Sequence, residues 1–382
     1  MTLELDGLSH RYGSELAVDD VSFALKEGEL VALLGPSGCG KTTLVRAIAG
    51  HLRPTAGRVR LRGIDVTDAP PERREVGIVF QRSTLYPHMS VGENVAYGLD
   101  ARGVDPDRRS EIVEEYLALV ELGGKRDASP EALSGGQRRR VELARALAPN
   151  PDVLLLDEPL SALDRSLRGQ LREEIARIQR ETGVTTLFVT HDQEEALSLA
   201  DRIVILHDGR VSATGDPRRL YESPPNRFVA SFLGRSNLIP ASVETRDPPR
   251  LRVGGTTVRV AEATVRTGET LPSTDRPEPA VHVRPADLVI GAEGSVDGDA
   301  VLSGTVRSVT DVASRYDVAV ELDSGTEVTV ERRRPPPAPD DRVAVGVDAA
   351  ALTVLPNGSG EPGVADASAE PGTTDMSPDA RR

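Results

Sequence analysis

From Met1 to about Arg235, short continuous apolar runs alternate with longer stretches in which apolar residues recur every three or four positions. Continuous runs suit strands buried on both faces, and the wider spacing suits helices with one buried side. The pattern predicts strands at Leu30–Leu34, Val76–Phe80, Val153–Leu156, Thr186–Thr190 and Ile203–His207. It predicts helices at Lys41–Ala49, Arg109–Val120, Gly135–Ala148, Arg165–Thr182 and Gln193–Leu199. Together these make an α/β domain over residues 1–235. Smaller β pieces at Leu3–Leu8, Val59–Leu61 and Arg210–Ala213 are assigned to an added antiparallel sheet. Residues 82–133 interrupt the alternation with helices and a loop containing LYPHMSVGENVAYGL.

From about Ser236 the helical spacing fades and Val-rich alternating runs take over, separated by Gly, Pro and Asp. Leu251–Val253, Thr257–Val260, Val281–Val283, Thr305–Val309, Asp317–Leu322, Glu327–Glu331 and Arg342–Val347 read as strands of a small all-β unit spanning 236–355. Arg332–Asp341, with three consecutive prolines, is a stiff polar connection that no central strand would tolerate. Residues 356–382, rich in Gly, Pro, Ser, Ala and acid, cannot bury enough apolar surface to offset their ordering entropy, so a disordered tail is expected.

Composition narrows the function classes. The net charge is −14, about −5 over the first 235 residues and −9 over the rest. Such a balance argues against nucleic acid as the main partner, because phosphate binding draws on clustered basic charge. Lys26, Lys41 and Lys125 are the only lysines. An acid-rich, lysine-poor chain suits either a salt-adapted proteome or a genome favouring Arg codons. One cysteine, Cys39, excludes a disulfide framework and fits a reducing compartment. No signal-peptide pattern stands at Met1–Tyr12, and no apolar run approaches the ~20 residues that span a bilayer. A soluble chain is expected, reaching membranes only through partners.

The strongest chemical signal is GPSGCGKT at Gly35–Thr42, followed by Thr43. It matches G-x-x-x-x-G-K-[ST] between a predicted strand and a predicted helix, the context this loop requires. Its glycines allow the backbone N–H groups of Gly35, Ser37, Gly38, Cys39 and Gly40 to turn around phosphates, with Pro36, which has no N–H, setting the turn between them. Lys41 would reach the β- and γ-phosphates, and Thr42 would place its hydroxyl on Mg²⁺. ATP binding is therefore expected. VLLLDEP at Val153–Pro159 adds two carboxylates at the end of an apolar run. Asp157 suits Mg²⁺ through water, and Glu158 suits a general base on the attacking water. In LSGGQ (Leu133–Gln137), Ser134 reads as an N-cap, with Gly135, Gly136 and Gln137 opening a second helix start able to meet an anion.

These three motifs, in this order, resemble the ATP-binding subunits of ABC transporters over the first ~235 residues. The resemblance implies a P-loop NTPase fold of the ABC type with a helical subdomain at about 82–133. It places an adenine-stacking aromatic at Tyr12 and the Q-loop residue, touching Mg²⁺ and water, at Gln81. Ser161–Asp164 falls at the D-loop, with Asp164 toward the partner's ATP, and His191 falls at the switch histidine. Catalytic roles then fall on Glu158, His191, Gln81 and Lys41, and metal-site roles on Thr42, Gln81 and Asp157. A head-to-tail pair of chains is implied, Ser134–Gln137 of one capping ATP on Gly35–Thr42 of the other. Leu85, Tyr86, Pro87 and Met89 would belong to a surface that docks a membrane permease, although Tyr86 and Met89 suit a subdomain core equally. His10, His51, His207 and His282 are assigned to surface or core.

Arg227–Ala241 (RFVASFLGRSNLIPA) and Val283–Ile290 (VRPADLVI) resemble the junction and the OB-like, barrel-like regulatory β-domain of importer ATPases. A domain serving only to strengthen dimerisation is the alternative. The implied function is ATP hydrolysis that drives solute import through a separate permease, on its cytoplasmic face, with an extracellular binding protein delivering solute. Ferric iron leads the candidate solutes, ahead of polyamine, thiosulfate or sulfate, molybdate and sugar. A soluble ATPase acting on nucleic acid or ribosomes is the rival class. Sensing through the β-domain, with transport secondary, is a third reading.

Overall fold

The computed structural model describes residues 1–161, 164–246, 249–259 and 279–355. The expected tail at 356–382, Ala162 and Leu163 of the D-loop run, and Val260 of one expected strand lie outside them.

A six-stranded sheet organises the first half, in the order β10 (Arg210–Gly215), β9 (Arg202–His207), β3 (Leu30–Leu34), β8 (Thr185–Thr190), β7 (Val153–Asp157), β6 (Val76–Val79). Five strands run parallel and β10 runs antiparallel to β9 at the edge. Every residue of β3, β7 and β8 is buried, as the continuous apolar runs require of a sheet covered on both faces. Side chains alternate between two cores. Val31, Leu33, Leu155, Leu187 and Val189 face one side. Leu30, Leu154, Leu156 and Phe188 face the other.

The first face packs on α1 (Lys41–Ile48) and on an antiparallel sheet of β2 (Glu15–Leu25), β1 (Leu3–Tyr12), β4 (Ala56–Leu61) and β5 (Ile64–Asp65). The second packs on α2 (Val91–Ala101), α3 (Pro106–Leu119), α4 (Gly135–Leu147) and α5 (Arg165–Thr182). Beneath β3 and β9 lie α6 (Gln193–Leu199), α7 (Pro217–Glu222) and α8 (Arg227–Phe232). Among the described residues no helix is long and apolar enough to cross a membrane.

Two expectations change. Arg210–Ala213 belongs to the main sheet rather than to the antiparallel one, because β10 returns tightly through Asp208–Gly209 onto β9. The stretch expected as a loop over LYPHMSVGENVAYGL contains α2. Its start is set by Ser90, which accepts from the Glu93 N–H while the Glu93 carboxylate accepts from Ser90 N–H. That S-x-x-E capping box is a start signal readable in the sequence.

Among the described residues of the second half, strands form the architecture, with only short 3-10 turns at Pro285–Asp287 and Ala349–Ala351. One sheet runs β13 (Thr256–Arg259), β12 (Pro249–Val253), β11 (Asn237–Arg246), β14 (Ala280–Val283), β20 (Thr353–Leu355). The other runs β15 (Val289–Gly291), β19 (Arg342–Val347), β16 (Ala300–Asp311), β17 (Tyr316–Leu322), β18 (Glu327–Arg332). The two share a single Val-rich core. The side chain of Asn237 acts as a strand surrogate between them, donating to Thr329 O and accepting from Thr329 N, both at 2.8 Å.

His282 on β14 is 1% exposed, and among the described residues neither ring nitrogen finds a hydrogen-bond partner. Burial, then the nearby Arg284 charge, holds its pKa down at about 4 against 6.5 for an exposed histidine. Between those values the unfolded chain binds the extra proton and the folded chain does not. The stability linked to this ring is therefore full above pH 6.5 and falls as pH drops toward 4, by about 3 kcal/mol in all. His282→Leu is expected to remove this dependence and to spare two orphan polar atoms. Thermal unfolding should show a Tm advantage for the variant that widens from pH 7.5 to pH 4.5; a constant or shrinking difference would contradict the assignment.

Candidate active site

Because β3, β8, β7 and β6 are adjacent and parallel, the turns after all four leave the sheet at one edge, where open α/β sheets place their ligands. That edge collects Gly35–Thr42 from β3, His191 from β8, Asp157 and Glu158 from β7, and Gln81 from β6. Four separate stretches of sequence thus form one site.

The loop after β3 has the shape of a phosphate cradle. Gly40, the N-cap of α1, sits at φ 102°, and no side chain caps the helix start. A Cβ there would lie 2.5 Å from Ala17 O, and one at Gly35 would lie 2.5 Å from Leu206 O. Glycine is required at both by close approach of the backbone. Gly38 reaches φ 82° with open space around it, so conformation alone favours glycine there. Pro36 is half-buried, and Ser37, Gly38 and Thr42 face solvent. Lys41 Nζ folds back onto Gly35 O at 2.6 Å and Pro36 O at 2.9 Å, so the loop's own carbonyls hold the ammonium. Cys39 and Thr43 are buried under the loop. Burial pushes the Cys39 thiol pKa up, with Lys41 opposing, which makes it a poor nucleophile and fits a backbone role.

Asp157 ends β7 almost fully buried. Its pKa is raised first by burial and then by the Glu158 charge, with Arg46 and Lys41 pulling it back. Glu158 takes a left-handed backbone at φ 45°, fixed by its N–H donating to Val189 O at 2.9 Å. A non-glycine residue in that region carries local strain of about 1–3 kcal/mol, a feature concentrated at functional sites. The turn aims the two neighbouring carboxylates differently. Glu158 Oε2 accepts from Gln81 Nε2 at 2.8 Å, and Oε1 lies 3.1 Å from His191 Nδ1. The strand-end motif names Glu158 and the family resemblance names Gln81 and His191; the structure joins them through Glu158.

Other expected site residues stand apart from this cluster. Tyr12, at the end of β1, is 46% exposed and meets His10 edge-on, leaving ring surface free for a planar group. Ser134 caps α4 and accepts from Gln137 N–H, while Gln137 Oε1 accepts from Ser134 N–H. The capping role expected of Ser134 is present, and the reciprocal glutamine bond was readable as S-x-x-Q. Ser134 and Gly135 are exposed, whereas Gly136 packs so closely on Leu167 that a Cβ would sit 3.0 Å from it. Asp164 caps α5 by accepting from Leu167 N–H at 2.9 Å. Leu85, Tyr86 and Met89 are half-buried and Pro87 is exposed, with Tyr86 against Tyr97 at 4.7 Å.

Sequence reasoning missed Arg139. Its guanidinium is buried between the segments carrying Gln81 and Glu158. No motif marks it, because it follows the LSGGQ run among three consecutive arginines.

The chain matches known proteins along most of its length. Residues 18–161 match the ABC transporter family and residues 281–355 the TOBE domain. A spermidine/putrescine import ATP-binding protein from Rubrobacter xylanophilus is 42% identical over 363 residues, 93% of this chain and 94% of its own. A sulfate/thiosulfate import ATP-binding protein from Chromobacterium violaceum is 48% identical over 288 residues, 75% of each chain. An Fe(3+) ions import ATP-binding protein from Rhizobium etli is 42% identical over 331 residues, 85% of this chain and 90% of its own. Among solved structures, CbiO1 from Clostridium perfringens, part of an ABC transporter complex, superposes with a TM-score of 0.54 at 28% identity, over 57% of this chain and 90% of its own. With a phosphate loop, a Glu158-centred cluster and an all-β second half in the matching order, the chain belongs to the ABC transporter family, as an ATP-binding ATPase subunit of the importer type.

Proposed function

We propose that two copies of this chain form a head-to-tail pair in which each ATP is held by Gly35–Thr42 of one copy and capped by Ser134–Gln137 of the other. The observation that carries this reading is the exposed start of α4. Its capping box is complete within the motif, yet Ser134 and Gly135 face solvent and, among the described residues, share no hydrogen bond with the phosphate loop of their own chain. Tyr12 stacks on adenine, and Asp164 faces the partner's nucleotide. Thr42, Gln81 and Asp157 would hold Mg²⁺, which would supply charge neutralisation at the nucleotide phosphates. The residues fit that metal: an exposed hydroxyl and a strand-end carboxylate are the hard oxygen donors it prefers. Lys41 exchanges the Gly35 and Pro36 carbonyls for phosphate oxygens. Glu158 takes the proton of the attacking water, and His191 and Gln81 orient its two oxygens.

The pair drives import through a separate membrane permease at the cytoplasmic face of the membrane, fed by a solute-binding protein. A groove of about 530 Å³ between α2 and α3 supports this docking role. Met89, Ala96, Tyr97 and Val113 line it together with Asp100 and Arg109. Ferric iron is the working solute, on the likeness of HDQEEALSLADRIVIL and NRFVASFLGRSN to ferric-iron and polyamine subunits. Polyamine, sulfate or thiosulfate, molybdate and sugar follow. The ligand of a co-purified binding protein decides among them.

Mixing tests the shared site. Chains carrying Ser134→Arg and chains carrying Lys41→Ala are each expected to be inactive alone. Combined in equal amounts they should regain a fraction of wild-type hydrolysis, because one of the two mixed sites is intact. No recovery despite dimer formation would refute the shared arrangement. Co-sedimentation with ribosomes instead of permease-containing membranes would refute the transport role.

A further inference from the structure

We propose that Arg139, paired with Glu142, is a positioning residue for hydrolysis, clamping the two chain segments that bring the Gln81 amide onto the Glu158 carboxylate. This rests on Glu158 being the group that activates water. Strands β6 and β7 run as a parallel ladder whose last pair is Val79 with Leu156. Beyond it β6 ends and β7 continues to Asp157, so no backbone ladder joins Phe80–Gln81 to Glu158–Pro159. Arg139 stands in that gap. Its Nε donates to Pro159 O at 2.8 Å, Nη1 to Phe80 O at 2.5 Å, and Nη2 to Gln81 O at 3.3 Å.

The charge is balanced by Glu142, one turn along α4, whose Oε2 accepts from Nη1 at 2.8 Å. The other oxygen of Glu142 accepts from Thr84 N–H at 2.8 Å. One turn further, Arg145 donates to Thr84 O at 2.8 Å. Residues 139, 142 and 145 thus lie along one face of α4 and hold the backbone from 80 to 84. Arg139 and Glu142 are 6% and 2% exposed. A buried ion pair stabilises a fold no better than apolar residues of similar volume, so folding alone does not account for this one. Its geometry does. A planar guanidinium spreads its donors over three nitrogens in a fixed fork and so reaches carbonyls on both segments at once, whereas lysine's donors radiate from a single nitrogen and an apolar side chain has none.

The test uses full-length Arg139→Met, Arg139→Lys and the double variant Arg139→Met/Glu142→Met, with Glu158→Gln alongside. The double variant leaves no uncompensated buried charge and is expected to stay folded, with a thermal transition close to wild type. In the Met and Lys variants and in the double variant, kcat for ATP should fall by about 10- to 100-fold, as misplacement of about an ångström does to a catalytic array. The KM and the binding of a fluorescent ATP analogue should stay within about twofold, because Lys41 and the phosphate loop keep their own contacts. Wild-type kcat in a folded double variant, or full rescue by lysine, would overturn the clamp. Wild-type kcat in Glu158→Gln would instead overturn the water-activating role on which it rests.

Discussion

Glu158→Gln is expected to bind ATP as wild type does and to turn it over at least about 100 times more slowly, the scale of losing a general base. Glutamine is nearly isosteric, so the Gln81 amide keeps an oxygen to donate to, and Lys41 and the phosphate loop are untouched. What disappears is the carboxylate that Gln81 and His191 both address. Single-turnover hydrolysis and equilibrium binding, measured on the same preparation, separate the two effects. Retained binding with lost turnover also predicts that the variant accumulates as the ATP-closed pair, visible as a nucleotide-dependent dimer by sedimentation. Loss of binding would mean that Glu158 shapes the pocket, and wild-type turnover would mean that another group activates water.

The phosphate loop and the strand-end carboxylates were legible because each is contiguous and dictated by local chemistry, whereas Gln81 and His191 entered through the family resemblance. GPSGCGKT needs glycine where the backbone passes Ala17 and Leu206, so the requirement is written into adjacent letters. The strand ends were legible for the same reason, since a strand covered on both faces cannot interrupt its apolar run. The joining of Gln81, Glu158 and His191 was not, because it depends on the order of strands in the sheet, and no local spacing encodes that β7 lies between β6 and β8.

The misses have equally specific causes. β2 hides because Asp19 and Asp20 break its alternation, with Asp20 in a left-handed conformation. β10 reads as part of a separate sheet because an edge strand with polar alternate residues looks the same wherever it pairs. Arg139 could not be told from Arg138 and Arg140 by composition; only α4 rotation decides that Arg139 alone turns inward to Phe80 and Pro159. Sequence alone leaves His282 at surface or core without a choice between them; burial makes it core, and among the described residues its ring nitrogens lack partners.

Arg284→Met is expected to loosen the second half from the first, at a cost of about 3 kcal/mol from stranded buried acceptors. The residue follows β14, yet its guanidinium serves the other side of the junction. Nε and Nη2 donate to Tyr221 O at 3.1 and 2.6 Å, and Nη1 donates to Ala230 O at 3.2 Å and Arg235 O at 2.9 Å. The group also lies over the Tyr221 ring, 4.0 Å from its centroid. It therefore gathers carbonyls from α7, α8 and the chain leading into β11, with only 4% of its surface exposed. Burial pushes its pKa down, with Tyr221 and Asp287 opposing. Methionine fills the stem volume but offers no donors, so these carbonyls must find water, and water reaches them only if the junction opens. Differential scanning calorimetry should then resolve two transitions where wild type shows one, and limited proteolysis should cut first near residues 233–237. ATP binding should persist, because the phosphate loop sits on β3 and α1, which the junction does not touch through Arg284. A single unshifted transition would mean that other crossing contacts, such as the Arg235–Asp317 ion pair at 2.5 Å, hold the halves together without this latch.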